Sequence, residues 1–146
     1  MDDILTVNTP AKINLGLQIL GKLPNGYHEI KTIYSPISLF DILRFETLTN
    51  RKIIIKSNKK NIPTGSKNLV YQAVDLIRKR TRVNKGVKIH IHKNIPIGSG
   101  LGGGSSDAAA VFKALNQLWH LHLDPEDALN MAKTIGADVP YFLTKG

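Results

Sequence analysis

From Ala11 to Ile19 the apolar residues Ala11, Ile13, Leu15, Leu17 and Ile19 alternate with Lys12, Asn14, Gly16 and Gln18. A period of two marks a half-buried strand, apolar on one face and polar on the other, and it predicts Lys12 and Asn14 together on the polar face. Leu23-Pro24-Asn25-Gly26 is turn chemistry, since Asn-Gly readily takes up positive φ, and Ile30 to Phe45 then reads as extended segments broken at Ser35-Pro36. An antiparallel meander follows. Ile53 to Lys56 is a short β-branched run, and residues 58–66, with Pro63 and Gly65, read as a loop.

Helical spacing takes over from Lys67 to about Arg82, where Leu69, Val70, Ala73, Leu76 and Ile77 recur and Arg78, Lys79, Arg80 and Arg82 load the last turn. Val87, Ile89 and Ile91 alternate with Lys88, His90 and His92, so a strand runs into Pro96 and a glycine-rich stretch. Ala108, Phe112, Leu115 and Trp119 mark a helix beginning at Ser105 or Ser106. Another opens at Asp124-Pro125 with an Asp N-cap and closes at Gly136. The order predicts an α+β fold, with a β-rich first half and helices packed on one face, rather than a regular doubly wound sheet.

Composition narrows the classes. The 146 residues allow one ordinary domain, 42% of them are hydrophobic and 21% charged, and no apolar run approaches the ~20 residues that cross a bilayer. The start, Met1-Asp2-Asp3, is acidic where a secretory signal is basic, so a cytoplasmic protein is expected. With no Cys there is no disulfide, thiolate metal site or thiol nucleophile. The formal charge of +9 points to an anionic partner, and it is concentrated: residues 51–93 hold 13 basic residues and one acid, Asp75.

Candidate chemistry centres on Pro96-Ile97-Gly98-Ser99-Gly100-Leu101-Gly102-Gly103-Gly104-Ser105-Ser106. Five glycines in seven positions between a strand and a helix let backbone amides approach a ligand, and the helix N-terminus adds partial positive charge. Such a loop suits phosphate; a flexible glycine turn is the plainer alternative. Gly98-x-Gly100-x-x-Gly103 formally matches the dinucleotide fingerprint, but the acid at the expected distance, Asp124, is better explained as a helix cap. A Walker A loop is excluded, because no Gly-Lys-Ser/Thr follows the glycines.

Four motifs in order, Pro10-Ala11-Lys12-Ile13-Asn14-Leu15, Gly26-Tyr27-His28, Pro96 to Ser106 with Asp107-Ala108-Ala109, and Gly136-Ala137-Asp138-Val139-Pro140, resemble the GHMP kinases, and within them the branch that acts on 4-diphosphocytidyl-2-C-methyl-D-erythritol. The resemblance spans essentially the whole chain. It implies the family's N-terminal fold, which is shared with a domain of ribosomal protein S5, and ATP-dependent phosphorylation of the substrate's 2-hydroxyl in non-mevalonate isoprenoid biosynthesis. By resemblance Asp138 is the base, Lys12 orients it and offsets developing charge, and Pro96 to Ser106 holds the ATP phosphates. Asn14, Tyr27 and His28 are implied to hold the substrate, the last two its cytidine ring, and Asn68 and Lys93 to line the nucleotide pocket. Mg²⁺ is expected to arrive with ATP, with no protein ligand assigned.

Taken singly, Lys12 reads as a solvated strand lysine and Asp138 as a turn residue or cap. His90-x-His92 and His120-x-His122 lack a third ligand at sensible spacing, so no metal site is expected. Family members are longer, with a second domain completing the cleft; the expectation is therefore an N-terminal GHMP domain over residues 1–146 without the C-terminal one. Two alternatives compete with an active kinase: a truncated, catalytically incompetent remnant, and an RNA-binding module on the same fold. Residues 51–93 are basic enough for RNA but offer only Tyr71 for stacking on bases.

Overall fold

The computed structural model describes residues 4–145. Its elements are β1 (Ile4–Lys22), β2 (His28–Leu48), β3 (Ile53–Ser57), α1 (Leu69–Thr81), β4 (Gly86–His92), α2 (Gly103–Leu118), α3 (Pro125–Ile135) and α4 (Val139–Lys145). The strands form one sheet in the order β1-β2-β4-β3, antiparallel except for β3 and β4, which are parallel and joined through α1. This is the α+β class that the element order predicts.

The covered face follows from the alternation. Leu43 and Phe45 of β2 and Val87, Ile89 and Ile91 of β4 meet Val70, Ala73, Val74 and Ile77 of α1 and Ala108, Val111, Phe112 and Leu115 of α2 in one buried cluster. Each large apolar side chain buried there contributes roughly 1.5–3 kcal/mol. The residues between them, Ile42 and Arg44 on β2 and Lys88, His90 and His92 on β4, stay wholly or partly exposed. Helices therefore cover one side of the sheet only.

The half-buried strand predicted over residues 11–19 is corrected. Ala11 is buried, but Ile13, Leu15, Leu17 and Ile19 are exposed, the last three by 58–63%. The cause is topological: β4 pairs with β2 only over Ile42–Leu48, so β1 and β2 continue past that zone as a two-stranded arm, and beyond the contact of Tyr34 with Asp138 and Tyr141 its apolar side chains are left exposed. The predicted break at Ser35-Pro36 is also absent, because β2 runs through it; there the strand is paired with β1 alone, and an edge tolerates the missing N–H.

The arm carries a register shift between Asn14 and Gly16. Asn14 lies opposite Tyr34, Leu17 opposite Thr32 and Ile19 opposite Ile30. Residues directly opposite share a face, as do residues two apart, so the bulge turns Leu17 and Ile19 onto the face of Lys12 and Asn14 instead of away from it.

Two helix boundaries also move. Helix α2 begins at Gly103, ahead of the predicted Ser105 or Ser106, because the last glycines of the loop already form its first turn. Helix α4, which the sequence periodicity does not single out, is a seven-residue helix of about two turns packed on α2 and α3.

Candidate functional site

The glycine loop is shaped by three left-handed residues, Gly98, Gly100 and Gly102, with φ of 68°, 75° and 74°. A side chain at any of them would be strained, and their alternation with Ser99 and Leu101 winds the loop tightly ahead of the N-terminus of α2. The loop is anchored from within: Ser99 Oγ donates to the Pro96 carbonyl at 2.7 Å, the Lys12 amide donates to the Leu101 carbonyl at 2.9 Å, and the Ser106 amide to the Gly102 carbonyl at 2.9 Å. The Lys12–Leu101 bond ties β1 directly to the loop.

A groove of about 350 Å³ runs along it, lined by Pro96, Ile97, Gly98, Ser99, Gly100, Gly102, Gly103, Gly104 and Ser105, with Ile62, Leu69, Lys93 and Asp138 completing the wall. Its size is within the range of small-molecule sites. Leu101 is turned to its bond with Lys12, and Ser106 is buried under the first turn of α2. Phosphate fits what is present, since no acid of the loop faces the groove and the donors are backbone amides at a helix N-terminus.

Asp138 sits between α3 and α4, and its carboxylate accepts a 2.9 Å hydrogen bond from the Tyr34 hydroxyl. The Lys12 ammonium lies over the same tyrosine ring, 4.8 Å from its centroid, and donates to Asn14 Oδ1 at 2.7 Å. No ion pair joins Lys12 to Asp138 among the described residues. Tyr34 stands in contact with both. Burial, then the hydrogen bond and the charge of Asp138, hold its phenol above the ordinary pKa, so it remains a donor. Tyr34 is a residue that sequence reasoning missed, and the only signal would have been its place opposite Asn14.

Tyr27 and His28 lie elsewhere. Both are exposed at the outer end of the arm, Tyr27 by 73%. His28 is six strand residues from Tyr34, ~20 Å along the arm. Asn68 is the N-cap of α1; its Oδ1 accepts the Val70 amide at 2.8 Å and its Nδ2 donates to the Pro63 carbonyl at 2.8 Å, which fixes the loop before the helix.

Lys93 reaches the groove from beneath. Its ammonium donates to Asp41 at 2.5 Å and to Asp107 at 2.9 Å, and all three side chains are nearly inaccessible. A Cβ added at Gly103 would come within 3.1 Å of that ammonium and 3.0 Å of Ile95. Glycine is needed here for close approach. Burial opposes the charge on Lys93, but Asp107 and Asp41 outweigh it and hold its pKa above the ordinary value. Asp107 itself is pushed up to about 7, mainly by burial and against the pull of Lys93. Asp41 and Asp107 were not singled out from the sequence, although Asp41 is in phase with Leu43 and Phe45, and Lys93 with Val87, Ile89 and Ile91. Charges at core-facing positions on two neighbouring strands were the available signal.

The basic excess goes mostly elsewhere. Of the 13 basic residues between positions 51 and 93, Lys93 alone lines the groove. Arg44, His90 and Lys56 form a row across β2, β4 and β3 on the open sheet face. Burial and the neighbouring Lys88, Lys56 and Arg44 hold the His90 imidazole below its ordinary pKa. Tyr71, the aromatic considered for base stacking, packs from α1 against the core. No cluster of three His, Cys, Asp or Glu suited to a metal occurs among the described residues, and no helix there is long and apolar enough to cross a membrane.

A glycine-wound loop at the head of a buried helix, tied to the first strand of a two-layer α+β fold, is the architecture of the small-molecule kinases to which this chain is similar. The family model described as the GHMP kinases N terminal domain matches residues 68–146, and the chain belongs to this family. It is similar in particular to the 4-diphosphocytidyl-2-C-methyl-D-erythritol kinases of Caldicellulosiruptor bescii, 47% identical over 93% of this chain and 48% of that protein, and of Chloroherpeton thalassium, 50% identical over 94% and 48%. A crystal structure of 4-(cytidine 5'-diphospho)-2C-methyl-D-erythritol kinase superposes with a TM-score of 0.83 at 40% identity, covering 96% of this chain and 49% of that one. Homoserine kinase from Cytophaga hutchinsonii, at 21% identity and a TM-score of 0.68, shares the fold. The chain spans about half the length of the curated relatives it matches.

Proposed function

We propose that this chain is the ATP-binding and catalytic N-terminal domain of a kinase that phosphorylates the 2-hydroxyl of 4-diphosphocytidyl-2-C-methyl-D-erythritol. The observation that carries the reading is the shared groove, which the glycine loop and Asp138 line together. Phosphoryl transfer needs mainly positioning and charge neutralisation, with a carboxylate near the attacking hydroxyl. The names of the relatives at 44–50% identity supply the substrate.

In this reading the amides of residues 98–106 hold the ATP phosphates, with Pro96, Ile97 and Lys93 completing the nucleotide site and Asn68 holding its neighbouring loop. Asp138 takes the proton of the substrate hydroxyl as that oxygen bonds to the γ-phosphorus and the bond to ADP breaks. Lys12, held by Asn14 and Tyr34, offsets charge on the transferred group. Asn14 and the exposed pair Tyr27 and His28 contact the substrate. Mg²⁺, carried on ATP, neutralises phosphate charge, and Ser105 faces the groove where it could meet it, while Ser106 is buried.

The test is thermal melting of the chain with and without Mg·ATP at millimolar concentration, followed by mass detection of the phosphorylated product with 4-diphosphocytidyl-2-C-methyl-D-erythritol present. A raised melting temperature is expected, and Asp138→Asn should keep that rise while losing transfer. Absence of any shift overturns the reading for this chain.

A further inference from the structure

Beneath the groove, four elements converge on one ammonium. Lys93, just past β4, donates to Asp41 of β2 and to Asp107 of α2. Thr9 of β1 donates its hydroxyl to the other oxygen of Asp107 at 2.6 Å. The second oxygen of Asp41 accepts the amides of Asn94 and Ile95 at 2.6 and 2.8 Å, holding the chain where it leaves the sheet for the glycine loop. Asn58, from the loop after β3, clasps the Lys93 backbone, accepting its amide at 2.8 Å.

Such a cluster is an expensive way to fill space. Two carboxylates and an ammonium, all at most 6% exposed, are stabilising only while every partner is in place, and losing one strands the others. The cluster bonds both ends of the loop: Asp41 grips Asn94 and Ile95 before it, and Asp107 sits in α2 directly after it. The loop's outward glycines, by contrast, meet little of the protein; a Cβ at Gly98 or Gly100 would find nothing within 4 Å. Apart from the Lys12–Leu101 bond at its middle and the packing of Gly102, the position of this segment depends on how its two ends are held.

We propose that Asp41, Lys93 and Asp107 form an ionic clamp that sets the position of the glycine loop, with Asp41 and Asp107 acting as positioning residues through Lys93. What the loop then holds rests on the reading given under Proposed function. The clamp joins the strand leading into the loop to the helix leading out of it. Side-chain networks of this kind fix geometry through all their members together, so loosening one arm should be felt at amides bonded to another.

The experiment is amide hydrogen exchange of the 146-residue chain, read by NMR at Lys12, Asn94 and Ile95, whose amides bond to Leu101 and Asp41 and not to Asp107. Asp107→Ala is expected to speed exchange at these amides by at least about tenfold beyond that of Leu115→Ala, a core variant that lowers stability without touching the clamp. Asp107→Asn should restore most of the protection, because its amide oxygen can still accept from Lys93 and its NH₂ can donate to the Thr9 oxygen. Exchange in Asp107→Ala no faster than in Leu115→Ala overturns the proposal. Should Asp107→Ala fail to fold, Thr9→Val, which removes one arm with little change of shape, is read by the same criterion. In parallel, Asp107→Ala should weaken Mg·ATP affinity about tenfold relative to Leu115→Ala. If the unaltered chain does not bind Mg·ATP, the functional reading fails, while the exchange measurement still decides the clamp.

Discussion

Strands β1 and β2 pass through two environments. At their root, Thr9, Ala11, Lys12, Asp41, Leu43 and Phe45 are buried between the rest of the sheet and α2. In the arm, Leu15, Leu17, Ile19, Ile30 and Ile33 are 47–65% exposed, although the sequence there is at least as apolar. Hydrophobicity is thus no guide to burial by itself; what differs is whether β4 and the helices reach that far. Charge behaves in the opposite sense, since the acids of the root are buried and paired while Glu29 and Lys31 of the arm are solvated.

The comparison implies that the root carries stability and the arm carries almost none, and variants can break or sharpen it. The largest effect is expected from Lys93→Met, which leaves Asp41 and Asp107 buried without their cation and should lower stability by about 3–5 kcal/mol in urea unfolding. Leu43→Ala, fully buried in β2, should lose about 2–5 kcal/mol. Ile33→Ala, ten residues earlier on the same strand and 65% exposed, is expected to change stability by less than about 0.5 kcal/mol. A loss at Ile33 comparable with that at Leu43 would mean that the arm is packed in solution.

A third test uses pH. Asp107 is raised from 3.8 to about 7 by burial, facing Lys93, Asp41 and Thr9. A carboxyl that holds its proton more tightly when folded stabilises the fold while protonated. This contribution is complete below about pH 4 and is lost as pH rises through 7. Melting temperature followed from pH 4 to 8 should therefore show a downward component in the wild type that Asp107→Asn lacks; parallel profiles would refute it. A modest effect is expected from Tyr34→Phe, which removes one partly exposed hydrogen bond to Asp138 and should change stability by about 0.5–1.5 kcal/mol. Under the proposed function its consequence should instead appear in phosphoryl transfer.

Much of this was legible along the chain. The helix over Leu69–Thr81, the strand over Gly86–His92, the turn at Asn25-Gly26 and the Asp124 cap follow from periodicity and local hydrogen bonding, which depend on neighbours in sequence. The glycine loop was legible for the same reason, because positive φ at Gly98, Gly100 and Gly102 is a property of the residues themselves. Tyr34 was not, since it matters only through residues 22 positions before it and 104 after it, Lys12 and Asp138. Nor was the exposure of Ile13 to Ile19, for a strand's pattern says which residues alternate and not whether anything covers them.

By itself, then, the sequence determined the α+β order of elements, the family, and the conformation of the glycine loop, all of which rest on local conformation and on motifs read in line. Only the tertiary structure decided which charges are buried together and which apolar residues are left outside. The bulge after Asn14 turned Leu17 and Ile19 onto the face of Lys12, and the pairing of β2 with β4 brought Asp41 to Lys93. Register and long-range pairing set both outcomes, and neither is a property of any single stretch of chain.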